Sequence, residues 1–222
     1  MILSRLMEQM LNDEIQALEN IGSHTLFFRI TKRSFDIAIC ILLMPVLMFM
    51  SFALIFLNIF FNKGKVYFVQ KRMGMNCKAF YALKFRSMRS IDFIERKFSD
   101  PLESDRITKL GSFLRKTKID ELPQILNVLK GDMSLIGPRP DYYEHALSFL
   151  EYDRLYRYRH TIRPGISGLS QIRLGYAEGL SATKKKSRVD LYYIKNASFK
   201  LDLKIFFATL AVIISSFRKK LH

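Results

Sequence analysis

The spacing of apolar positions changes several times along the chain, and each change predicts a different element. From Met1 to about Phe28, apolar residues such as Ile2, Leu6, Met10 and Ile15 recur at helical spacing, with Glu8, Asp13 and Glu14 opposite. This predicts an amphipathic N-terminal extension over residues 1–30, packed on the domain as a surface helix. Ile37 to Phe61 is then almost unbroken apolar sequence. As a helix it reaches about 37 Å, enough to cross a hydrocarbon core of roughly 30 Å. Two features oppose a simple span. Pro45 sits inside the run, and both flanks are basic: Lys32 and Arg33 before, Lys63, Lys65 and Lys71 after. Positive charge stays on the cytoplasmic side. A helix broken at Pro45 that returns to the same face would satisfy both flanks, and on these residues alone spanning and re-entry stand level.

Beyond the run, Val66–Val69 and Phe80–Leu83 flank Gly74 and Asn76, which predicts a small β-hairpin. Residues 90–109 read as a polar loop. Thr117 to Lys130 carries Ile119, Leu122, Ile125, Leu126 and Leu129 at helical spacing, with Gly131 as C-cap and Pro123 in the first turn. Asp120 and Glu121 therefore fall at or just before a helix start. Further helices are predicted around Ser148–Tyr158 and Lys186–Lys195, with a Gly-rich loop between them. Ile205 to Phe217 is apolar but too short to span, and Arg218, Lys219 and Lys220 follow it. It reads as an interfacial helix or as a buried core helix.

Charge narrows the partners. Lys and Arg number 36 against 20 acidic residues, a formal net charge of +16. That surplus suits nucleic acid, anionic lipid headgroups or phosphorylated substrates. The 2 cysteines, Cys40 and Cys77, offer neither a disulfide framework nor a zinc site, and the chain reads as facing a reducing compartment. The apolar run begins too far in, and is too long, for a secretory signal.

Concentrated chemistry is sparse. No P-loop, GxGxxG, GxSxG or HExxH pattern occurs. Asp120-Glu121 has an ordinary reading, because carboxylates favour the positive end of a helix. The functional alternative is one carboxylate attacking phosphorus while its neighbour binds a divalent metal. Gly137-Pro138-Arg139-Pro140 is harder to explain as a plain turn: both prolines stiffen the backbone and hold Arg139 on an extended segment, suited to a phosphate. Lys84 and Arg86 follow a predicted strand and could line an anionic site. Arg163-Pro164-Gly165 is another loop where backbone could approach a ligand.

The ordered set of segments resembles a known family. Lys32-Arg33-Ser34-Phe35-Asp36 precedes the apolar run and Gln70-Lys71-Arg72-Met73-Gly74 follows it. Lys84-Phe85-Arg86-Ser87-Met88, Ile119-Asp120-Glu121-Leu122-Pro123-Gln124, Leu135-Ile136-Gly137-Pro138-Arg139-Pro140 and Arg163-Pro164-Gly165-Ile166-Ser167-Gly168 come next, in that order. Together they resemble the bacterial sugar transferases, monotopic polyprenyl-phosphate phosphoglycosyl transferases, over about Thr31 to Phe217.

The resemblance implies transfer of sugar-1-phosphate from a UDP-sugar to a polyprenyl phosphate such as undecaprenyl phosphate, with Mg2+ and release of UMP. It implies Asp120 as nucleophile, Glu121 as catalytic partner and magnesium ligand, and Arg139 at the donor. Lys32 and Arg33 would lie near the acceptor phosphate. Lys84, Arg86 and Arg163 complete the expected substrate-binding set. It also implies a re-entrant membrane helix over residues 31–62 and a cytoplasmic, membrane-associated catalytic domain over 63–222, at the bacterial inner membrane. The expected fold is α+β and mostly helical: a re-entrant helix hairpin, interfacial amphipathic helices and a small β-hairpin around a catalytic helix. Membrane lipids are expected partners and nucleic acid is not; homo-oligomerisation stays open. Met44 stands where many members have serine before the membrane proline, and residues 172–179 diverge from the usual pattern, which leaves the sugar open. A phosphohydrolase using the same dyad and a non-enzymatic basic membrane adaptor are the rival readings.

Overall fold

A computed structural model describes residues 24–61, 64–89, 104–175 and 179–218. The N-terminal extension expected over residues 1–30 lies almost wholly outside the described residues. The first element, α1 (Leu26–Phe61), is one helix of 36 residues with Pro45 inside it. The chain stays helical through Pro45; a proline removes one N–H donor, which a long helix tolerates. The helix is long and apolar enough to cross a membrane, and little of its most apolar stretch is buried.

The hairpin forms as expected but longer, from β1 (Tyr67–Met73) and β2 (Ala79–Phe85), paired antiparallel from Tyr67↔Phe85 to Met73↔Ala79. Its turn places Asn76 and Cys77 at positive φ, 56° and 58°. The segment read as loop is followed by a helix that the sequence reading did not assign, α2 (Lys109–Lys116), whose N-cap Thr108 accepts from the Gly111 amide. The expected Thr117–Lys130 helix is shorter: α3 (Gln124–Lys130) begins after Pro123 and ends on Gly131 in the left-handed region. A 3₁₀ turn, Ile119–Glu121, precedes it.

A parallel pair missed by the sequence pattern, β3 (Ser134–Ile136) with β4 (Gly165–Ser167), ties the proline-rich loop to the Arg163–Gly168 loop. Three residues each are too few to show a period of two. A Cβ at Gly165 would fall on the Gly137 backbone, so glycine is required where these loops touch. The remaining helices are α4 (Tyr143–Tyr152), α5 (Leu169–Leu174), α6 (Leu180–Lys195) and α7 (Phe199–Arg218), with a 3₁₀ segment Arg154–His160 after α4. The helix expected around Ser148–Tyr158 is thus shifted forward, and α6 and α7 start earlier than expected.

One main core joins these pieces. Cys40, Leu47 and Leu54 of α1 share it with Phe85 of β2, Leu114 of α2, Val128 of α3, Leu191 of α6 and Ile205 of α7. Polar bonds set the helix against it. The Asp36 carboxylate accepts from Ser134 Oγ at 2.7 Å and the Leu135 amide at 3.2 Å. Arg33 donates to the carbonyls of Val128 at 2.7 Å and Leu129 at 3.0 Å, at the negative end of α3. Lys32 Nζ pairs with Asp202 of α7 at 2.6 Å and donates to the Ile136 carbonyl at 2.9 Å.

Candidate active site

The dyad sits on a turn that the backbone forces open. Lys118 adopts a left-handed conformation, φ 59° and ψ 11°, immediately before Ile119. A non-glycine residue there costs energy and persists only where its surroundings impose it. The turn directs Asp120 and Glu121 inward, leaving them 8% and 6% exposed. Adjacent acids at an ordinary helix start face solvent, whereas these two are withdrawn from it.

Asn127 of α3 holds the hairpin against this turn. Its Oδ1 accepts from the Leu83 amide at 2.9 Å and its Nδ2 donates to the Tyr81 carbonyl at 2.8 Å, in the manner of an added strand. Lys84, on the same edge, thereby reaches Glu121 Oε1 at 3.2 Å. From the other side Arg139 meets Glu121 with both terminal nitrogens, Nη1 to Oε2 at 3.1 Å and Nη2 to Oε1. Three of the residues predicted from sequence therefore converge on one point.

Electrostatics separates the two acids. Burial, with the Glu121 charge beside it, pushes the Asp120 carboxyl up from 3.8 to about 6. Burial would raise Glu121 as well, yet Arg139 and Lys84 hold it well below the usual carboxylate range. Burial lowers Lys84 to about 8 despite the pull of Glu121. Asp120 Oδ1 is buried without a hydrogen-bond partner among the described residues. The pair thus combines an ion-paired carboxylate with one whose Oδ1 has no hydrogen-bond partner among the described residues.

No group of three or more His, Cys, Asp or Glu suited to a metal occurs among the described residues. Magnesium needs only one or two carboxylates when phosphate oxygens and water complete its shell. Both Glu121 oxygens are engaged by Arg139 and Lys84, so Glu121 would take such an ion as donor phosphate oxygens draw those cations away.

The other predicted binding residues lie elsewhere. Lys32 and Arg33 are engaged at the ends of α7 and α3, as described. Arg86 lays its guanidinium against Gly64, where any Cβ would collide with it. Arg163 Nε donates to the Gly131 carbonyl at 2.8 Å on the outer side of the loop. The structure adds two arginines that spacing did not single out, Arg72 and Arg159, both bonded to the backbone around Arg139. Arg72 lies in the Gln70–Gly74 segment, whereas Arg159 sits in a 3₁₀ stretch with no periodic signal.

A family model, bacterial sugar transferase, matches residues 27–216. The chain belongs to this family. Among similar sugar transferases, the UDP-N-acetylgalactosamine-undecaprenyl-phosphate N-acetylgalactosaminephosphotransferase of Aeromonas hydrophila is 41% identical over 187 residues, covering 84% of this chain and 44% of its own. The UDP-glucose:undecaprenyl-phosphate glucose-1-phosphate transferase of Klebsiella pneumoniae is 38% identical over 190 residues, covering 85% of this chain and 40% of its own. The exopolysaccharide production protein PSS of Rhizobium leguminosarum bv. phaseoli is 40% identical over 190 residues, with 81% of this chain and 93% of its own covered. This sugar transferase thus spans less than half the length of the first two relatives and nearly all of the third.

Proposed function

We propose that the protein transfers sugar-1-phosphate from a UDP-sugar to a polyprenyl phosphate, releasing UMP and starting a lipid-linked glycan. The observation that carries this reading is the free, buried oxygen of Asp120 beside a Glu121 clasped by Lys84 and Arg139. Two of the similar proteins are named for transfer of sugar phosphate to undecaprenyl phosphate, which supports the same acceptor here. Those two names carry different sugars, so family membership does not select the sugar.

In the first step an Asp120 oxygen attacks the sugar-bearing phosphorus of the donor. A phosphorus–oxygen bond forms, the bond to the bridging diphosphate oxygen breaks, and UMP leaves with that oxygen. In the second step an oxygen of the polyprenyl phosphate attacks the same phosphorus and returns the Asp120 carboxylate. Lys84 and Arg139 offset charge on the phosphate oxygens as the donor enters between them and Glu121. A magnesium ion held by Glu121 and donor phosphate oxygens would add positive charge at the same place.

The acceptor is a membrane lipid, so Asp120 must lie near headgroup level. We infer that α1 enters and leaves the bacterial cytoplasmic membrane from the cytoplasmic face. Support comes from the part of α1 after Pro45, which stays packed against the catalytic domain through Leu47 and Leu54. Ser51 Oγ and Tyr67 Oη lie 2.7 Å apart, and Leu54 and Asn58 are 1% and 4% exposed. A helix crossing to the far side would separate those groups.

With magnesium, purified protein should turn over a UDP-sugar to UMP repeatedly only when undecaprenyl phosphate is present, release at most one equivalent of UMP per enzyme without it, and lose both in Asp120→Asn. Unchanged turnover in that variant would sink the assignment. Free sugar phosphate as the product, with no lipid-linked sugar, would mean hydrolysis instead.

A further inference from the structure

Arg139 stands on a segment without regular structure, yet its backbone is unusually constrained. Four consecutive carbonyls are captured by donors from three different parts of the chain. Pro138 accepts from the Gly165 amide at 2.9 Å, and Asp141 accepts from the Met73 amide at 3.1 Å. The two carbonyls between them are taken by arginines: Arg159 Nη2 donates to Arg139 at 2.8 Å and Arg72 Nη1 donates to Pro140 at 2.6 Å.

Both arginines are themselves held. The Gln70 side-chain oxygen accepts from Arg72 Nε at 2.9 Å and from its Nη2. Arg159 is 1% exposed. Its Nη2 also donates to Asp190 Oδ2 at 2.8 Å, and its Nη1 donates to Tyr156 Oη at 3.0 Å and to the Asp141 carboxylate. Lys186 closes the set by donating to Asp141 Oδ1 at 2.9 Å. A buried arginine is expensive unless it is paired, and here both terminal nitrogens are paired while Nε has no hydrogen-bond partner among the described residues. Burying one to grip a loop carbonyl is difficult to explain by fold stability alone, since apolar packing would serve that better.

We propose that Arg72 and Arg159 are positioning residues, a two-arginine clamp that fixes the backbone of Arg139 and so aims its guanidinium at the donor phosphates. This rests on the reading of Arg139 as a donor contact. The clamp ties the site to two separate elements, β1 through Arg72 and the junction of the 3₁₀ segment with α6 through Arg159. Rigid placement matters because displacement of a charge stabiliser by about 1 Å can cost on the order of 100-fold in rate.

A double-mutant cycle tests the clamp, using UMP release from whichever of a panel of UDP-sugars supports turnover with undecaprenyl phosphate. Arg139→Ala should lower kcat on the order of 100-fold. Arg72→Met should lower kcat on the order of tenfold with KM within about twofold, the signature of a lost transition-state interaction. In the Arg139→Ala background, Arg72→Met should cost no more than about a further twofold, because the group it positions is gone. Arg72→Lys, which keeps one donor for the Pro140 carbonyl, should recover most of the loss. Arg159→Lys should be coupled to Arg139 in the same way.

Should Arg72→Met fail to fold, Gln70→Ala frees the same guanidinium and should show the coupling in smaller measure. Losses that multiply in the double variants overturn the clamp while leaving the role of Arg139 intact. So does an Arg72→Lys variant no better than Arg72→Met. Unchanged turnover in Arg139→Ala alone overturns the underlying reading, and the clamp with it.

Discussion

Asp120→Asn is expected to strengthen the fold while removing turnover, because the charge required for attack opposes folding. Asp120 is 8% exposed, and its carboxyl rises from 3.8 to about 6 in the folded chain. Between those values the folded state binds more protons than the unfolded state, so stability falls as pH rises through the window. Above about pH 6 the whole cost is present, and at about 1.36 kcal/mol per pKa unit it is about 3 kcal/mol. Asparagine has the same shape and no charge to desolvate. The variant should therefore gain about 3 kcal/mol near pH 7.5, shrinking to about 0.5 kcal/mol near pH 4. For a chain of this size that gain raises the melting temperature on the order of 6–12 °C. Thermal unfolding of wild type and variant in one detergent, followed by circular dichroism at both pH values, measures the difference. A variant that melts at or below wild type near neutral pH refutes the reasoning. So does an advantage that persists undiminished in acid, which would place its origin in packing rather than charge.

The same titrations shape the rate. Turnover should fall as pH drops through about 6, where Asp120 takes up a proton, and again as pH rises through about 8, where Lys84 loses one. A pH–rate profile checks both limbs, and Lys84→Arg should remove the alkaline one; a limb that survives this substitution points to another group. For the membrane helix, Thr25→Cys and Lys65→Cys, each in a Cys40→Ser, Cys77→Ser background, should react with a membrane-impermeant maleimide from the same side. Labelling from opposite sides would show α1 to cross the bilayer.

Much of the site was legible because its chemistry is local. The dyad, the stiff Gly137–Pro140 segment and Lys84 at a strand end each announce themselves through neighbouring residues. Short elements were not legible in the same way. β3 and β4 have 3 residues each, too few for a period to emerge, and they exist because two distant loops pair. The helix α2 is short for a related reason: its 8 residues, KLGSFLRK, carry one apolar face of Leu110, Phe113 and Leu114 and include Gly111, a poor helix former. Its packing against the Ser87 backbone, where a Cβ at Gly111 would clash, explains that glycine.

The basic residues show the limit most clearly. Lys32, Arg33, Lys84, Arg86, Arg139 and Arg163 are all expected to bind substrate, the first two on the family resemblance alone, yet of these six Lys84 and Arg139 are the ones bonded to Glu121. Lys32 and Arg33 instead anchor α1 to α7 and α3. A cation's role depends on which acceptor lies within about 3 Å of it, and sequence spacing carries no such distance between segments remote in the chain. Sequence by itself determined the type of the longer elements, the long apolar helix with its matched basic flanks, and the acidic pair, since these follow from periodicity, length and covalent adjacency. Tertiary structure alone decided which carboxylate keeps a free oxygen and which is clasped. It also decided which arginine meets Glu121 and which grip the backbone, because burial and pairing arise only when distant segments exclude water from one another.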